Sequence, residues 1–159
     1  MVVINLGYTA PVNRPGDSPQ LTLAQVWEGL QYKVRRAEKF VPIITACEVL
    51  SEEDNRRTSP SAEHVITRRV TFQPGGGPLK GGGTVTEVCK LYAPCRIDFH
   101  QEDGSTIGNY VTQGASGDAA DLKMTYVFQW RVAGVEEGSE QVRELEERYA
   151  KVSECSRLG

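Results

Sequence analysis

Hydrophobic and polar residues alternate with a period of two along most of the chain between residues 43 and 132. This alternation is typical of strands that bury one face, and turn-rich segments break it into separate runs. An earlier run at residues 2–8 is rich in β-forming residues and predicts a further strand. The predicted strands cover residues 2–8, 43–50, 63–73, 84–92, 95–102, 105–113 and 121–132.

The segment after the first predicted strand has a helical pattern instead. Thr22 and Gln25 form a capping-box pair at its start. Apolar residues then recur at helical spacing, at Leu23, Val26, Trp27, Leu30 and Val34. A short helical piece at residues 37–40, ended by Pro42, would complete a bent helix pair. We expect this pair to support the sheet from outside.

A second helix is predicted at the end of the chain, after Gly138 and Ser139. One stripe of this helix is apolar and the opposite side is densely charged, so the stripe needs a sheet to lie on. The stripe consists of Val142, Leu145, Tyr149 and Val152.

The segments between the strands predict loops. Residues 51–62 are polar and residues 74–83 are rich in glycine, so we expect both to be mobile. The glycine-rich segment lacks the Gly-Lys-Ser/Thr ending and the following helix of a phosphate-binding loop, so no nucleotide site is predicted there. Asp103 and Gly104 predict a tight hairpin turn between adjacent strands.

The order of these elements predicts one α+β domain over residues 1–159. A connected antiparallel sheet of about seven strands curls because its strands twist. A helix laid across the concave face leaves a gap that side chains need not fill. The sequence therefore predicts an internal cavity beneath the C-terminal helix.

Composition excludes several classes of function. The net charge is −3 and the basic clusters are scattered among acids, which argues against nucleic-acid binding. No apolar run approaches the roughly 20 residues that span a bilayer. The first eight residues lack the basic flank of a secretory signal, so we expect a cytoplasmic protein.

The cysteines do not indicate a disulfide scaffold or a zinc site, because their spacing is irregular and the two histidines lie in unrelated segments. We expect reduced thiols, with a Cys89–Cys95 approach across a turn as the alternative. The four cysteines are Cys47, Cys89, Cys95 and Cys155.

Several segments resemble the AtaL-like family of START-type (SRPBCC) proteins. They are the run from Tyr92 to Ser105, Asn109, the strand from Leu122 to Arg131, and the opening residues 9–13 and 21–30. The resemblance implies a helix-grip fold with a hydrophobic cavity. It also implies membership of a set found in fungi and bacteria, including fungal gene clusters for secondary metabolites. Such proteins usually continue further in the terminal helix, so we expect a short lid over the cavity or an unusually open pocket.

Two charged residues interrupt apolar strand faces. Arg68 shares a face with Ile66 and Val70, and Glu87 shares one with Cys89. If both faces point inward, each charge is too costly to bury without a partner or a polar ligand. The pair is therefore a candidate site. A purely structural ion pair or an outward-facing register remains the alternative.

Other candidates follow from the same alternation. Met124, Tyr126, Phe128 and Trp130 share one side of the last strand, which we expect to face the cavity, with a packed core as the alternative. The Tyr126 hydroxyl needs a partner wherever it is buried.

In the strand at residues 95–102, Gln101 lies inward with Phe99, whereas His100 lies outward. His64 lies at a strand start and is a weaker candidate. Asn109 offers an amide to a ligand carbonyl, or stabilises a bulge next to Gly108.

Together with the resemblance, these residues suggest an enzyme of specialised metabolism, a cyclase, isomerase or dehydratase that acts on a polyketide-like substrate without metal or organic cofactor. Glu87 would transfer the proton, and Arg68, Tyr126 and Asn109 would stabilise an enolate or orient carbonyls. A non-catalytic carrier of a small hydrophobic metabolite and a protein-interaction module with a filled core are the alternatives. The predicted ligand contacts are Gln101, Asn109, Phe99, Phe128, Trp130 and Met124.

Overall fold

Seven strands form one antiparallel sheet within residues 1–75 and 81–157, the part of the chain that the computed structural model describes, with side chains described as far as Lys151. The strands are β1 (Val2–Pro11), β2 (Ile44–Asp54), β3 (His64–Phe72), β4 (Gly83–Tyr92), β5 (Arg96–Gln101), β6 (Thr106–Gln113) and β7 (Leu122–Val132). Their order across the sheet is β1-β7-β6-β5-β4-β3-β2. The predicted seven-stranded antiparallel sheet is thus confirmed.

Helix α1 (Leu23–Arg35) connects the two edges of this sheet. β1 and β2 follow one another in the chain but lie at opposite edges, so the connection has to cross the sheet. The predicted capping box starts the helix. Thr22 Oγ1 accepts a hydrogen bond from the Gln25 amide at 3.2 Å, and Gln25 Oε1 accepts one from the Thr22 amide at 2.9 Å. A 3₁₀ turn at Ala37–Lys39 follows.

Both helices cover the same face of the sheet, which we call the inner face. Arg68 on β3 donates hydrogen bonds to backbone carbonyls of α1. In α2 (Glu140–Arg157), the Tyr149 ring stacks on Trp130 of β7 with 4.8 Å between ring centroids. The expectation that α1 supports the sheet from outside is therefore wrong. The apolar stripe of α1 is buried against the inner face, and the charged Arg68 needs its acceptors there.

Strand β2 extends further than predicted. Its pairing with β3 continues to Asp54 opposite His64, with register shifts at Ile44/Ala46 and Val49/Ser51. Residues 51–54 are polar and exposed on an edge strand, which removes the apolar alternation that would have identified them. The predicted loop at residues 51–62 therefore starts four residues later, after Asp54.

The predicted hairpin turn at Asp103 and Gly104 is present. Gly104 has a φ of +85°, which favours glycine, and Asp103 Oδ1 accepts a hydrogen bond from the Ser105 amide at 2.7 Å. The buried Ser105 hydroxyl accepts a hydrogen bond from the Arg131 amide at 2.9 Å, which fixes the hairpin to β7.

Three sequence predictions concern parts of the chain that are described incompletely. Residues 76–80 of the glycine-rich segment lie outside the described residues, as do the side chains of Val152, in the predicted apolar stripe, and of Cys155. Cys47, Cys89 and Cys95 carry free thiols. None of the described helices is both long and apolar enough to cross a membrane.

The strand register arranges the inner face in rows that run across the sheet. In the polar row, Arg68 pairs with Glu87, and Glu87 pairs with Gln101. The next row is apolar and consists of Ile66, Cys89, Phe99, Ile107 and Phe128. In the third row, Asn109 lies between Ile97 and Tyr126. These rows position the candidate site.

Candidate functional site

A buried ion pair occupies the polar row. Arg68 and Glu87 are 6% and 2% exposed, so the inward register of both strands holds. Glu87 Oε2 accepts a hydrogen bond from Arg68 Nε at 2.8 Å and forms an ion-pair contact with Arg68 Nη2 at 2.7 Å. Gln101 Nε2 donates to Glu87 Oε1 at 2.9 Å. Burial opposes the charge on Arg68, but the Glu87 carboxylate raises the pKa of the guanidinium above its usual value.

Arg68 also fixes the end of α1. Its Nη1 donates to the carbonyl oxygens of Lys33 at 3.2 Å and Val34 at 2.9 Å, which belong to the last turn of the helix. Such carbonyls lack partners within the helix. The guanidinium also lies 4.9 Å from the centroid of the Phe99 ring. These contacts support the alternative that the ion pair stabilises the fold, and they are compatible with a second role in a binding site.

The ion pair borders a hollow that we call the inner cavity. Its polar lining comes from Lys33, Arg68, Glu87, Gln101 and Asn109. Phe99, Ile107 and Trp130 are among the apolar side chains that complete it. The centre of a water molecule can reach about 50 Å³ of this space, which is room for a few waters.

A larger hollow, the outer groove, lies between β1, α1 and β7. The centre of a water molecule can reach about 290 Å³ of it. Tyr126 and Met124 line this groove together with Leu30 of α1. Burial raises the pKa of the Tyr126 hydroxyl, which favours its protonated form. Lys33 lines both hollows and lies where they meet.

The structure thus divides the residues that the sequence grouped together. Phe99, Gln101, Asn109 and Trp130 line the inner cavity with the ion pair. Tyr126 and Met124 line the outer groove. Phe128 lines neither hollow, because it is 1% exposed and its ring stacks against Trp130 at 5.8 Å. For Phe128 the packed-core interpretation fits the structure.

Lys33 is a site residue that the sequence interpretation missed. It is 9% exposed, and its Nζ lies 5.6 Å from the centroid of the Tyr126 ring. Burial, together with the nearby charge of Arg68, lowers the pKa of Lys33 to about 8. The helical pattern contained the signal, since Lys33 lies seven residues after Val26 and so shares its buried stripe.

This buried lysine makes stability depend on pH. Its folded pKa of about 8 is below the usual 10.5, so the unfolded chain binds more protons between these values. The Lys33 contribution to the free energy of unfolding should therefore rise as pH increases through this window, while the buried Cys89 thiol, whose pKa burial raises to about 12, contributes in the opposite direction. Lys33→Met should remove that rise and stabilise the protein at neutral pH by about 1–3 kcal/mol. Urea unfolding at neutral and alkaline pH measures both effects.

The exposed Lys39, in the turn after α1, is the matched control. Lys39→Met should show the same pH dependence of unfolding as the wild type. Identical pH profiles for Lys33→Met and the wild type would contradict the assignment of the low pKa to Lys33.

The remaining polar candidates differ in their surroundings. His100 is half-buried and lies on the other face, as the alternation predicted. His64 is buried, but its Nε2 lies 3.0 Å from Glu52 Oε1, away from the inner cavity. Asn109 is 4% exposed, and its side-chain amide has no hydrogen-bond partner among the described residues. Strand pairing continues past Gly108 without a register shift, so the bulge alternative is not observed.

Comparison with known proteins shows the fold and the family. The family model described as acetylaranotin biosynthesis cluster protein L matches residues 6–157. A curated protein of that name from Aspergillus terreus (strain NIH 2624 / FGSC A1156) is 26% identical over 149 residues, which cover 94% of this chain and 79% of the relative.

Two solved structures share the architecture. The Zhui aromatase/cyclase from Streptomyces sp. R1128 superposes with a TM-score of 0.63 at 18% identity, covering 99% of this chain and 88% of that chain. A START superfamily protein from Mycobacterium smegmatis gives a TM-score of 0.56 at 13% identity, with 97% and 96% coverage. The predicted START-type helix-grip fold is confirmed. Together with the family match over nearly its whole length, this shows that the chain belongs to the AtaL family.

Proposed function

We propose that this protein is an enzyme of specialised metabolism that binds a small, largely apolar carbonyl compound, of polyketide type, in the inner cavity. It catalyses a proton transfer that leads to cyclisation, isomerisation or dehydration, without metal or organic cofactor. The observation that carries this proposal is the buried Arg68–Glu87 pair at the wall of a cavity. The names of the similar proteins, a biosynthesis cluster protein and an aromatase/cyclase, support the same class of reaction.

Glu87 is the proposed proton acceptor. A carboxylate offers about four acceptor positions. Oε2 is occupied by Arg68, through a hydrogen bond from Nε and an ion-pair contact with Nη2, and Oε1 receives one hydrogen bond from Gln101. One position on Oε1 is left for a ligand proton. Arg68 and Gln101 hold the carboxylate in a fixed orientation, which a general base needs.

Positive charge near the ligand's carbonyl oxygen would stabilise the enolate that forms when Glu87 takes up a proton. The ligand's α-proton moves to Glu87 Oε1, and the electron pair of the broken C–H bond moves to the carbonyl oxygen. Arg68 and Lys33 border the same cavity and stabilise the enolate in apolar surroundings. Asn109 orients a carbonyl in the cavity, while Tyr126 contacts the part of the ligand that extends into the outer groove.

Three outcomes follow from this enolate. Attack on a second carbonyl carbon closes a ring, and return of the proton to a different carbon isomerises the ligand. Loss of a β-hydroxyl group, which takes up the proton held by Glu87 and leaves as water, dehydrates it. All three outcomes use one proton and one electron pair, so the chemistry needs no oxidant or reductant.

Ligand entry requires Lys33 to move. The inner cavity is small, and the Lys33 side chain lies between it and the larger outer groove. Rotamer changes of this kind are common when proteins bind ligands. Entry from the groove would place an apolar ligand against Phe99 and Ile107 and join the two hollows.

A ketone that exchanges its α-protons slowly in water tests the proposed proton transfer. The bicyclic ketone 2-tetralone exchanges its benzylic α-protons slowly in neutral heavy water, and proton NMR follows the exchange. The enzyme should bind 2-tetralone and accelerate this exchange. Binding without acceleration would favour the alternative, a non-catalytic carrier of a hydrophobic metabolite. That alternative has its own support, because Glu87 is already paired with Arg68 and Gln101.

We also propose that the chain acts as one domain in the cytoplasm. The free thiols of Cys47, Cys89 and Cys95 support this location, because a reducing compartment maintains them.

A further inference from the structure

Two polar groups on residues that line the inner cavity form no hydrogen bond with the described part of the chain. The indole Nε1 of Trp130 is buried and has no partner among the described residues. The side-chain amide of Asn109, which is 4% exposed, also has none within the described part of the chain. Both residues line the inner cavity. Buried polar groups nearly always form hydrogen bonds, so the Trp130 indole nitrogen calls for a partner that the described chain does not provide, and the Asn109 amide can bind a molecule in the cavity.

The strand register places these two groups at opposite ends of the cavity. Asn109 pairs with Tyr126 on β7, and Trp130 lies four residues further along the same strand. At a rise of about 3.3 Å per residue, the two backbone positions are about 13 Å apart. The apolar row passes between them, with Ile107 paired to Phe128. The lining of the cavity therefore has an apolar middle, with a residue that carries a hydrogen-bonding group at each end.

We infer that the inner cavity selects ligands that carry oxygen atoms at two opposite ends of a flat apolar ring system. This inference rests on the proposed function, because it requires that a ligand enters the cavity. The Trp130 indole is a donor only, so the oxygen at that end accepts a hydrogen bond, as a ketone, phenol or enolate oxygen does. The Asn109 amide can donate or accept, so it binds either a carbonyl or a hydroxyl.

Naphthalene, 2-naphthol and 2,6-dihydroxynaphthalene are suitable probes, since they share one apolar body and carry no, one or two oxygens. Each oxygen that finds its partner should increase affinity about fivefold to tenfold, because a net hydrogen bond contributes about 1 kcal/mol. Calorimetric titration measures this. Asn109→Leu should reduce the affinity for the diol to that for 2-naphthol and leave naphthalene binding unchanged, which also shows that the variant folds. Thr112→Val, exposed on the same strand, is the control and should change none of the three affinities.

The Trp130 end can be tested without any substitution. The chain has two tryptophans, so its proton–nitrogen NMR spectrum contains two indole N–H signals. Trp27, on α1, lines neither the inner cavity nor the outer groove and serves as the internal reference. Saturation with the diol should move the Trp130 indole proton downfield relative to its position with naphthalene, and the Trp27 signal should stay in place.

The outcomes separate this inference from the proposed function. If the diol binds no tighter than naphthalene and the Trp130 signal is the same with both probes, the inference is overturned while binding of an apolar ligand stands. If none of the three probes binds, the inference and the binding step of the proposed function both fail. Tight, two-ended recognition of the diol supports the inference even if 2-tetralone exchange is not accelerated, a result that would refute catalysis alone.

Discussion

Replacing Arg68 by methionine is expected to lower the free energy of unfolding by about 3–5 kcal/mol, the usual effect of leaving one buried charge without its partner. Glu87 would keep only the hydrogen bond from Gln101 in a site where it is 2% exposed. The carbonyls of Lys33 and Val34 at the end of α1 would also lose the hydrogen bonds from Arg68, and Val34 would keep only the one from the Cys47 thiol. Urea unfolding followed by circular dichroism measures the loss.

Two further variants show whether the buried charge is the cause. Arg69 is exposed, and its Nη1 lies 3.7 Å from Glu48 Oε2, so Arg69→Met should change stability by less than about 0.5 kcal/mol. The double variant Arg68→Met with Glu87→Leu should recover part of the loss, because apolar side chains can replace a buried ion pair. A loss of under about 1 kcal/mol for Arg68→Met alone would contradict a buried, mutually dependent pair.

Replacing Glu87 by glutamine should slow the exchange of 2-tetralone protons by at least about 100-fold, the lower range of what a general base contributes. The glutamine oxygen can still accept the hydrogen bond of Arg68, and Gln101 can turn its amide so that its oxygen accepts from the new NH2 group. Because the neutral glutamine leaves the Arg68 charge without its partner, the variant should be less stable than the wild type, and circular dichroism shows that it is folded before the rates are compared. The amide cannot take up a proton at neutral pH. Affinity for 2-tetralone should therefore stay unchanged while turnover falls, which NMR exchange and calorimetric titration measure on the same sample.

The control for this experiment is Glu48→Gln, which removes a carboxylate that is exposed on β2. With this variant, 2-tetralone should exchange its protons at the same rate as with the wild type. If 2-tetralone exchanges its protons at the same rate with Glu87→Gln as with Glu48→Gln, Glu87 is not the base. The ion pair then has a structural role, which the hydrogen bonds from Arg68 to α1 already suggest.

Local signals in the sequence were sufficient for the number and order of the strands and for the start of α1, but not for the ends of β1 and β2. Alternation gives the strand positions because a residue on one face of a sheet recurs every second position. The same rule placed Arg68, Glu87 and Gln101 on the buried face, where the structure has them. Thr22 and Gln25 marked the start of α1 because both groups bond within one turn of the helix.

Long-range relations were not available from these patterns. Alternation separates the two faces of a sheet but does not say which element covers each face. The expectation for α1 was wrong because nothing local shows that β1 and β2 lie at opposite edges, which forces α1 across the inner face. With α1 placed outside, Lys33 had no reason to be near Arg68. The role of Lys33 at the boundary of the two hollows therefore emerged only from the fold.

The division of the candidate residues has the same origin. Tyr126 shares its strand face with Trp130, and a one-dimensional pattern treats them alike. In the folded chain α1 lies over one end of that face and α2 over the other, so Tyr126 lines the outer groove and Trp130 the inner cavity. Whether two residues of one strand share a site depends on what packs above them.

A nuclear Overhauser measurement on the complex with 2-tetralone tests the central claim most directly, because the two hollows have different methyl groups. Ile107 lines the inner cavity beside the ion pair, whereas Met124 lines the outer groove. Contacts between the aromatic protons of the ketone and the Ile107 methyls are the result that a ligand held next to Glu87 predicts. Contacts with the Met124 methyl and none with Ile107 would contradict it, since the ligand would then stay in the groove, beyond the reach of the carboxylate.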